Sequence, residues 1–499
     1  MKLRELLRDV PVRTSRGDLE AEITSVTADS RLAVAGSLFV AVPGFKTDGA
    51  RFIDSALSKG AVAVVSETTA SSPVLIEVDD SRAALATIAA NFSGRPAEHL
   101  TLVGVTGTSG KTTTTKMIES VFDAAGGPVG LVGTIEYRAG DERLTADRTT
   151  PDAVVLQQWL AKMVDAGVRN AVMEVSSHAL ALKRTFGMHF SAAVFTNLTQ
   201  DHFDFHKDFE DYFAAKRILF DQIDRTRKTA IVNIDDEYGR RLAKELGDCV
   251  VTFGRDAKAD IHAPVDFDIS VRGLHGVVRT PAGDVTVDSR LLGAPNLSNW
   301  LGAIGAALAV GIDIPTIEAG IRNLAAVRGR FEYVESGGGP TVIVDYAHKP
   351  DALEKLLHAV RDLATGRRVV VIVGCGGDRD KDKRAKMGAI AARLADRVVL
   401  TSDNPRSEKP EAILDDIEKG MRGATNYERV ADRREAIART IATASDSDVI
   451  VIAGKGHESY QVIGDQVIHF DDREEAERAL QAKQQKTGLK KGTLKSASN

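Results

Sequence analysis

LVGVTGTSGKTTTT, residues Leu102–Thr115, is the stretch from which the rest of the chain can be placed. An apolar run stops at a glycine-rich turn, and a lysine followed by four threonines opens a helix. This is the pattern of a phosphate loop. Gly107 and Gly110 let the backbone curl so that amide groups converge on phosphate oxygens. The helix start adds positive potential, and Lys111 and Thr112 suit a terminal phosphate and a magnesium ion. The spacing departs from a strict Walker A, which wants glycine where this chain has Val105. A Gly-Lys-Thr turn at a strand-to-helix junction still points to phosphate rather than to structure alone.

At 499 residues the chain has room for three domains of about 150 residues each, with material for buried cores. Hydrophobic content of 43% and charged content of 27% describe a soluble globular protein, and the net charge of -5 gives no electrostatic footprint for nucleic acid. Small-molecule ligands are expected instead. Cys249 and Cys375, far apart and without metal-ligand company, exclude a disulfide framework and a zinc site and fit a reducing cytoplasm. Met1–Val10 alternates charged and apolar residues, unlike a signal peptide, and no apolar run reaches membrane-spanning length, so membrane insertion is not expected.

Residues 1–98 read as a small α/β unit, with strands at Ser37–Val42, Ala61–Ser66 and Val74–Val78 around Asp29-Ser30-Arg31. The glycine and proline of Asn91–His99 mark a linker. A second domain, 99–329, opens with the phosphate-loop strand. It continues through strands at Ala171–Val175, Ala192–Asn197 and Ala230–Asn233, which alternate with helices as in a parallel sheet covered on both faces, and a helix at Asn296–Val310. A third domain, 330–482, follows, with apolar runs at Thr341–Val344, Val369–Val373, Val398–Leu400 and Val449–Ala453. Each run ends in polar or glycine residues: Asp345-Tyr346-Ala347-His348, Gly374-Cys375-Gly376-Gly377-Asp378, Asp403-Asn404-Pro405-Arg406 and Gly454-Lys455-Gly456-His457-Glu458. Ligands of open α/β sheets gather at the carboxyl ends of strands, so these four endings predict one site. The tail 483–499 holds five lysines and no acid, and reads as disordered.

Glu174 and His202 sit at the ends of adjacent strands that should face the loop. Together a carboxylate and an imidazole there could hold magnesium ions bridging phosphates. Lys216 reads as a solvated helix lysine. The groups Asn233, Asp235, Asp236 and Asn296, Asn299 could contact a nucleotide's base and ribose, but each taken singly reads as a turn cap.

With these residues assembled, the chain closely resembles the Mur ligase family of ATP-dependent amide-bond synthetases. The resemblance is carried by Gly107-Thr108-Ser109-Gly110-Lys111-Thr112-Thr113, Glu174-Val175-Ser176-Ser177-His178, Asn197-Leu198-Thr199-Gln200-Asp201-His202, Asp345-Tyr346-Ala347-His348 and the late Gly454-Lys455-Gly456 turn. It looks most like the members that add a diamino acid to UDP-N-acetylmuramoyl-L-alanyl-D-glutamate. The resemblance implies an N-terminal uridine-nucleotide domain using Ala28, Ser30, Phe45, Lys46 and Thr47, a central P-loop ATPase-like domain, and a Rossmann-like C-terminal domain. It implies that Thr149, Thr150, Ser176 and Arg184 bind the muramoyl dipeptide. Asn296, Asn299, Arg330, Asp345 and His348 would join the loop in binding ATP. Thr112, Glu174 and His202 would hold magnesium, and Lys111, Glu174, His202 and Lys216 would be catalytic. Lys216 matches the family's carbamylated lysine, which reverses its reading as a solvated residue.

Arg379, Asp403, Asn404, Pro405, Arg406, Gly454 and Glu458 match the diamino-acid site, in the form associated with meso-diaminopimelate. A guanidinium can clamp that molecule's distal carboxylate, whereas lysine would set an ammonium against it. A cytoplasmic monomer is implied. The alternatives are the same ligation with L-lysine, or a silent nucleotide-binding scaffold, which should have lost Lys111, Glu174 or His202. Leu182 stands where relatives commonly carry a glutamine that touches substrate, a departure at one contact.

Overall fold

The computed structural model describes residues 1–44, 47–335 and 338–496. Phe45 and Lys46, expected to bind the uridine nucleotide, lie outside the described residues. Two compact units are formed. One holds Met1–Pro264, Val278–Val285 and Ser298–Ile321, and the other holds Val265–Val277, Thr286–Leu297 and the chain from Arg322.

The first unit contains two sheets. The smaller runs in the order Val12–Arg16, Leu75–Val78, Ala63–Ser66, Ser37–Val40, Ser25–Thr27. Its alternation of two buried faces follows from the two-residue period of a strand. Leu38, Val40, Ala63, Val65 and Ile76 pack with Ala84 and Ile88 of the helix Ser81–Phe92, while Phe39, Val64 and Leu75 pack with Ile53 and Ala56. The three inner strands are those legible in the sequence, shorter by one or two residues. Val12–Arg16 is exposed along its whole length and antiparallel to its neighbour, so its sequence carries no apolar pattern to read.

The larger sheet is built outward from Thr101–Thr106. This strand lies between Asn170–Glu174 and Ala192–Phe195, parallel to both. Val129–Val132 continues the sheet on one side, and Ala230–Asn233 and Val250–Gly254 on the other. Such strands are apolar almost throughout because helices cover both faces. The order of connection reverses at Thr101–Thr106, so the ends of three neighbouring strands open at the switch point where α/β folds bind ligands.

The second unit has a sheet in the order Glu332–Val334, Thr341–Asp345, Val449–Ala453, Val369–Val373, Arg397–Leu400, Tyr427–Arg429, parallel except at its first edge. The four apolar runs legible in the sequence are adjacent strands here, so their polar endings share one edge. A separate hairpin, Tyr460–Ile463 with Gln466–His469, follows. Arg433 and Asp472, both with fully buried side chains, form a bidentate pair at 2.7 Å on each arm, and Arg433 also donates to the carbonyls of Ser402 and Ala453. It thereby ties together the strand ends that precede Asp403 and Gly454. Asp472→Ala strands a buried guanidinium and is expected to destabilise this unit by about 3–5 kcal/mol. A lowered midpoint of urea unfolding is the measurement, and an unchanged midpoint counts against the pair's role.

The final helix runs from Asp472 to Ser496, so 483–496 are helical where the sequence suggested a disordered tail. The docked first turns, with Ala476 and Leu480 buried, supply the nucleus from which the helix extends. Among the described residues no helix is long and apolar enough to cross a membrane.

Candidate active site

The phosphate loop is held by the neighbouring strand end. Thr108 N donates to the carbonyl of Asn197 at 2.8 Å, Ser109 N donates to Asn197 Oδ1 at 2.9 Å, and Thr196 Oγ1 donates to the carbonyl of Ser109 at 2.7 Å. Gly107 (φ +148°) has no room for a side chain, since a Cβ would lie 1.9 Å from Thr196 Oγ1, and at Gly110 (φ +85°) a Cβ would lie 2.5 Å from Asn299 Oδ1. The helix Lys111–Ala125 starts from this turn. Thr114 Oγ1 meets Asn299 Oδ1 at 3.3 Å.

Glu174, 1% exposed, is the junction of the site. It accepts from Thr112 Oγ1 at 2.9 Å, Thr134 N at 2.7 Å and Thr134 Oγ1 at 3.0 Å. Thr134 Oγ1 is in turn 3.0 Å from Thr149 Oγ1. Thr150 Oγ1 donates to the carbonyl of Glu174 and accepts from Ser176 N, and the carbonyl of Thr150 accepts from Arg184 at 2.6 Å. The four residues matched to dipeptide binding therefore form one hydrogen-bonded chain that runs to Glu174 through Thr134 and the Glu174 main-chain carbonyl. Burial pushes the Arg184 guanidinium below its ordinary range, and the Arg148 charge adds to that.

Lys216 is 1% exposed and donates to the carbonyl of Gly107 at 2.8 Å, with the Tyr212 ring centroid 4.4 Å from its Nζ. Lys111 Nζ donates to the same carbonyl at 2.9 Å and to that of Thr108 at 3.0 Å. Burial first, and then the neighbouring Lys111 charge, hold the Lys216 amine well below its usual range. The solvated-helix reading of Lys216 is thus corrected: the lysine faces inward because its helix, Phe209–Arg217, buries Tyr212, Phe213 and Ala215 on the same side. His202, in a left-handed backbone conformation (φ +58°), lies 3.4 Å from Asp201 and edge-on to His178, with ring centroids 4.7 Å apart. Burial and the nearby His206 lower the pKa of His178. Among the described residues no group of three or more His, Cys, Asp and Glu is arranged as a metal cage. The hard-oxygen pair Thr112 and Glu174 is the arrangement present, and it suits magnesium.

Ala28 and Ser30 follow the strand Ser25–Thr27. Ser30 is buried, its carbonyl accepts from Lys59 Nζ at 3.1 Å, and Thr47 is exposed. Asn233 donates to the carbonyl of Thr196, and Asp236 caps the helix Glu237–Leu246, so both are structural.

In the second unit, Asn296 Nδ2 donates to the carbonyl of Leu292 at 2.9 Å. Arg330 lies 4.8 Å from the centroid of Tyr346. Asp345 accepts from the amides of Phe331 and Ala347, and burial raises its pKa. His348 is lowered to about 4 by burial, its Nδ1 against the carbonyl of Tyr346. A second cluster forms across the strand endings. Asn404 Nδ2 donates to Glu458 Oε2 at 2.9 Å, Arg406 Nη1 donates to the carbonyl of Gly377 at 2.8 Å, and Arg406 stands at φ +51°. A Cβ on Gly454 would lie 3.5 Å from Asp403 Oδ2, and Arg379 Cγ comes within 3.7 Å of where Gly376 would carry one.

Family models cover most of this architecture: "Mur ligase family, catalytic domain" at 22–93, "Mur ligase middle domain" at 105–307 and "Mur ligase, glutamate ligase domain" at 329–456. The UDP-N-acetylmuramoyl-L-alanyl-D-glutamate--2,6-diaminopimelate ligase of Thermosynechococcus vestitus is 46% identical over 489 residues, 96% of this chain and 98% of that protein. The chain belongs to the Mur ligase family. The enzyme of the same name from Bacillus cereus is also 46% identical, over 96% of this Mur ligase and 98% of its own length. A solved structure of a protein with that name superposes with a TM-score of 0.71 at 31% identity, covering 97% of this chain and 99% of the other.

As a Mur ligase the protein is an ATP-dependent ligase. Thr134 and Arg384 stand in no sequence motif, and Lys455 was legible only as part of the Gly454-Lys455-Gly456 turn. Thr134 gives no motif signal, and its role appears only when both its amide and its hydroxyl meet Glu174. Arg384, fully buried, bonds Glu408, Asp416 and the carbonyl of Gly376. Lys455, equally buried, sits among Asp403, Asn404 and Glu458. Arg384 looks like a solvated charge in sequence, whereas Lys455 lies between two glycines after an apolar strand, in a turn the sequence already marked.

Proposed function

We propose that this Mur ligase joins meso-diaminopimelate to the side-chain carboxylate of D-glutamate in UDP-N-acetylmuramoyl-L-alanyl-D-glutamate, as a cytoplasmic monomer using ATP and magnesium. The supporting observation is the cluster in which Arg406 shares one strand edge with Asp403, Asn404 and Glu458, which matches an amino acid bearing an ammonium and a carboxylate at its far end.

A carboxylate is a poor electrophile until phosphorylated. A glutamate oxygen attacks the terminal phosphorus, the bond to the ADP oxygen breaks, and an acyl phosphate forms. The diaminopimelate amine then attacks the acyl carbon, phosphate leaves, and the amine gives up its proton. Lys111 and the loop amides offset the charge of the moving phosphoryl group, and Thr149, Thr150, Ser176 and Arg184 orient the dipeptide beside it. Thr112 and Glu174 would hold magnesium, with His202 and a carbamylated Lys216 in support, and the metal would neutralise phosphate charge. Ala28, Ser30 and the Phe45–Thr47 loop would hold the uridine nucleotide.

Kinetics with both amino acids test the assignment. Arg406 would be left unpaired by lysine, so wild type should use meso-diaminopimelate and barely use L-lysine. Arg406→Ala should raise the KM for diaminopimelate by about 30-fold or more, the cost of truncating one partner of a desolvated charge pair, and discrimination should narrow. A wild-type preference for lysine, or an unchanged preference in the variant, overturns the amino-acid assignment.

A further inference from the structure

Lys455 lies in the turn after Val449–Ala453, with 0% of its side chain exposed, and none of the steps above uses it. Its Nζ faces three acceptors: Asn404 Oδ1 at 3.2 Å, Glu458 Oε2 at 3.3 Å and Asp403 Oδ1 at 3.6 Å. An ammonium has three N–H donors and no acceptor, so this contact fixes more than charge. Asn404 Oδ1 also accepts from Val462 N at 3.0 Å, which commits the oxygen side of that amide to the lysine and the hairpin. Its Nδ2 is thereby turned to Glu458. On the acidic side, Glu458 Oε2 is taken by Asn404 and Lys455, and Asp403 Oδ1 is buried without a hydrogen-bond partner. Gln461 Nε2 holds the carbonyl of Asp403 at 2.7 Å, and the Tyr460 ring lies 5.5 Å from the lysine nitrogen.

Two carboxylates and one ammonium leave this corner one negative charge. We propose that Lys455 is a positioning residue for the incoming amino acid. It holds Asn404 in the orientation that presents its amide nitrogen, and it reduces the Asp403 and Glu458 pair to the single charge that one substrate ammonium neutralises. Arg406 meets the carboxylate of the same zwitterionic end. This rests on the amino-acid reading of the cluster given above and extends it to a residue that does not touch the reacting atoms. Without Lys455 the two acids repel, and Asn404 Oδ1 keeps only the Val462 amide to hold its orientation.

The test is steady-state kinetics on the full-length enzyme, varying each substrate in turn, for Lys455→Met and Lys455→Gln, with thermal unfolding of both. Lys455→Met should raise the KM for diaminopimelate by about 30-fold or more. Its kcat at saturating amino acid and its KM values for ATP and the muramoyl dipeptide should stay near wild type. Lys455→Gln, which keeps a donor without the charge, should fall between, and it decides the matter if Lys455→Met does not fold. A uniform rise in all three KM values, an unchanged KM for the amino acid, or loss of fold in both variants makes Lys455 a core residue only and overturns the proposal. If wild type ligates a different amino acid, the functional reading fails separately, and the same split is then read on the amino acid it uses.

Discussion

Lys111→Ala is expected to abolish ligation, with a loss of at least about 10³-fold in turnover, while the protein stays folded. Its Nζ donates to carbonyls of its own loop, Gly107 and Thr108. Truncation therefore removes charge from the phosphate site without opening the core, which the buried Met117, Ile118, Val121 and Phe122 of the following helix maintain. Phosphate release dependent on all three substrates is the activity measurement, with thermal unfolding as the control. Turnover equal to wild type would sink the phosphate-loop assignment.

Lys216→Ala should cost about 100-fold, the upper end for groups that support a metal from outside its ligand sphere. Lys216 and Lys111 both reach the carbonyl of Gly107, and two ammonium groups converging on one buried acceptor repel. Burial with that repulsion holds the Lys216 amine well below its usual range, which favours the neutral amine, the species that attacks carbon dioxide. A new N–C bond would leave a carbamate and release a proton, and repulsion from Lys111 would become attraction. Added formate or acetate should partly restore the alanine variant by replacing the lost carboxylate. Full activity without rescue refutes the carbamate role.

The sequence was most informative where chemistry and backbone demand coincide. Leu102–Thr115 carried strand, turn and helix in fourteen letters because a phosphate loop needs glycine, lysine and threonine in order. The four apolar runs of the second unit were legible because a strand covered on both faces must be apolar throughout. What could not be read was which polar groups are buried. Lys216 and Arg384 have the letters of surface residues, and only tertiary packing closes over them. Thr134 was invisible for another reason: a threonine after a glycine has no distinctive pattern, and its contacts with Glu174 span 40 residues. Val12–Arg16 and the 460–469 hairpin lacked the alternation that marks a half-buried strand. The last helix was missed because composition speaks to solubility and not to what a docked first turn can propagate.

His202, Asp378 and Arg406 all hold left-handed backbone angles without being glycine. Each such angle costs roughly 1–2 kcal/mol that glycine would recover. A directed-evolution campaign that selected this protein for heat resistance alone would therefore be drawn to glycine or asparagine at these positions. The survivors would include proteins that melt later and ligate poorly, so any thermostabilising library for this chain should lock the His202 and Arg406 codons before it is built.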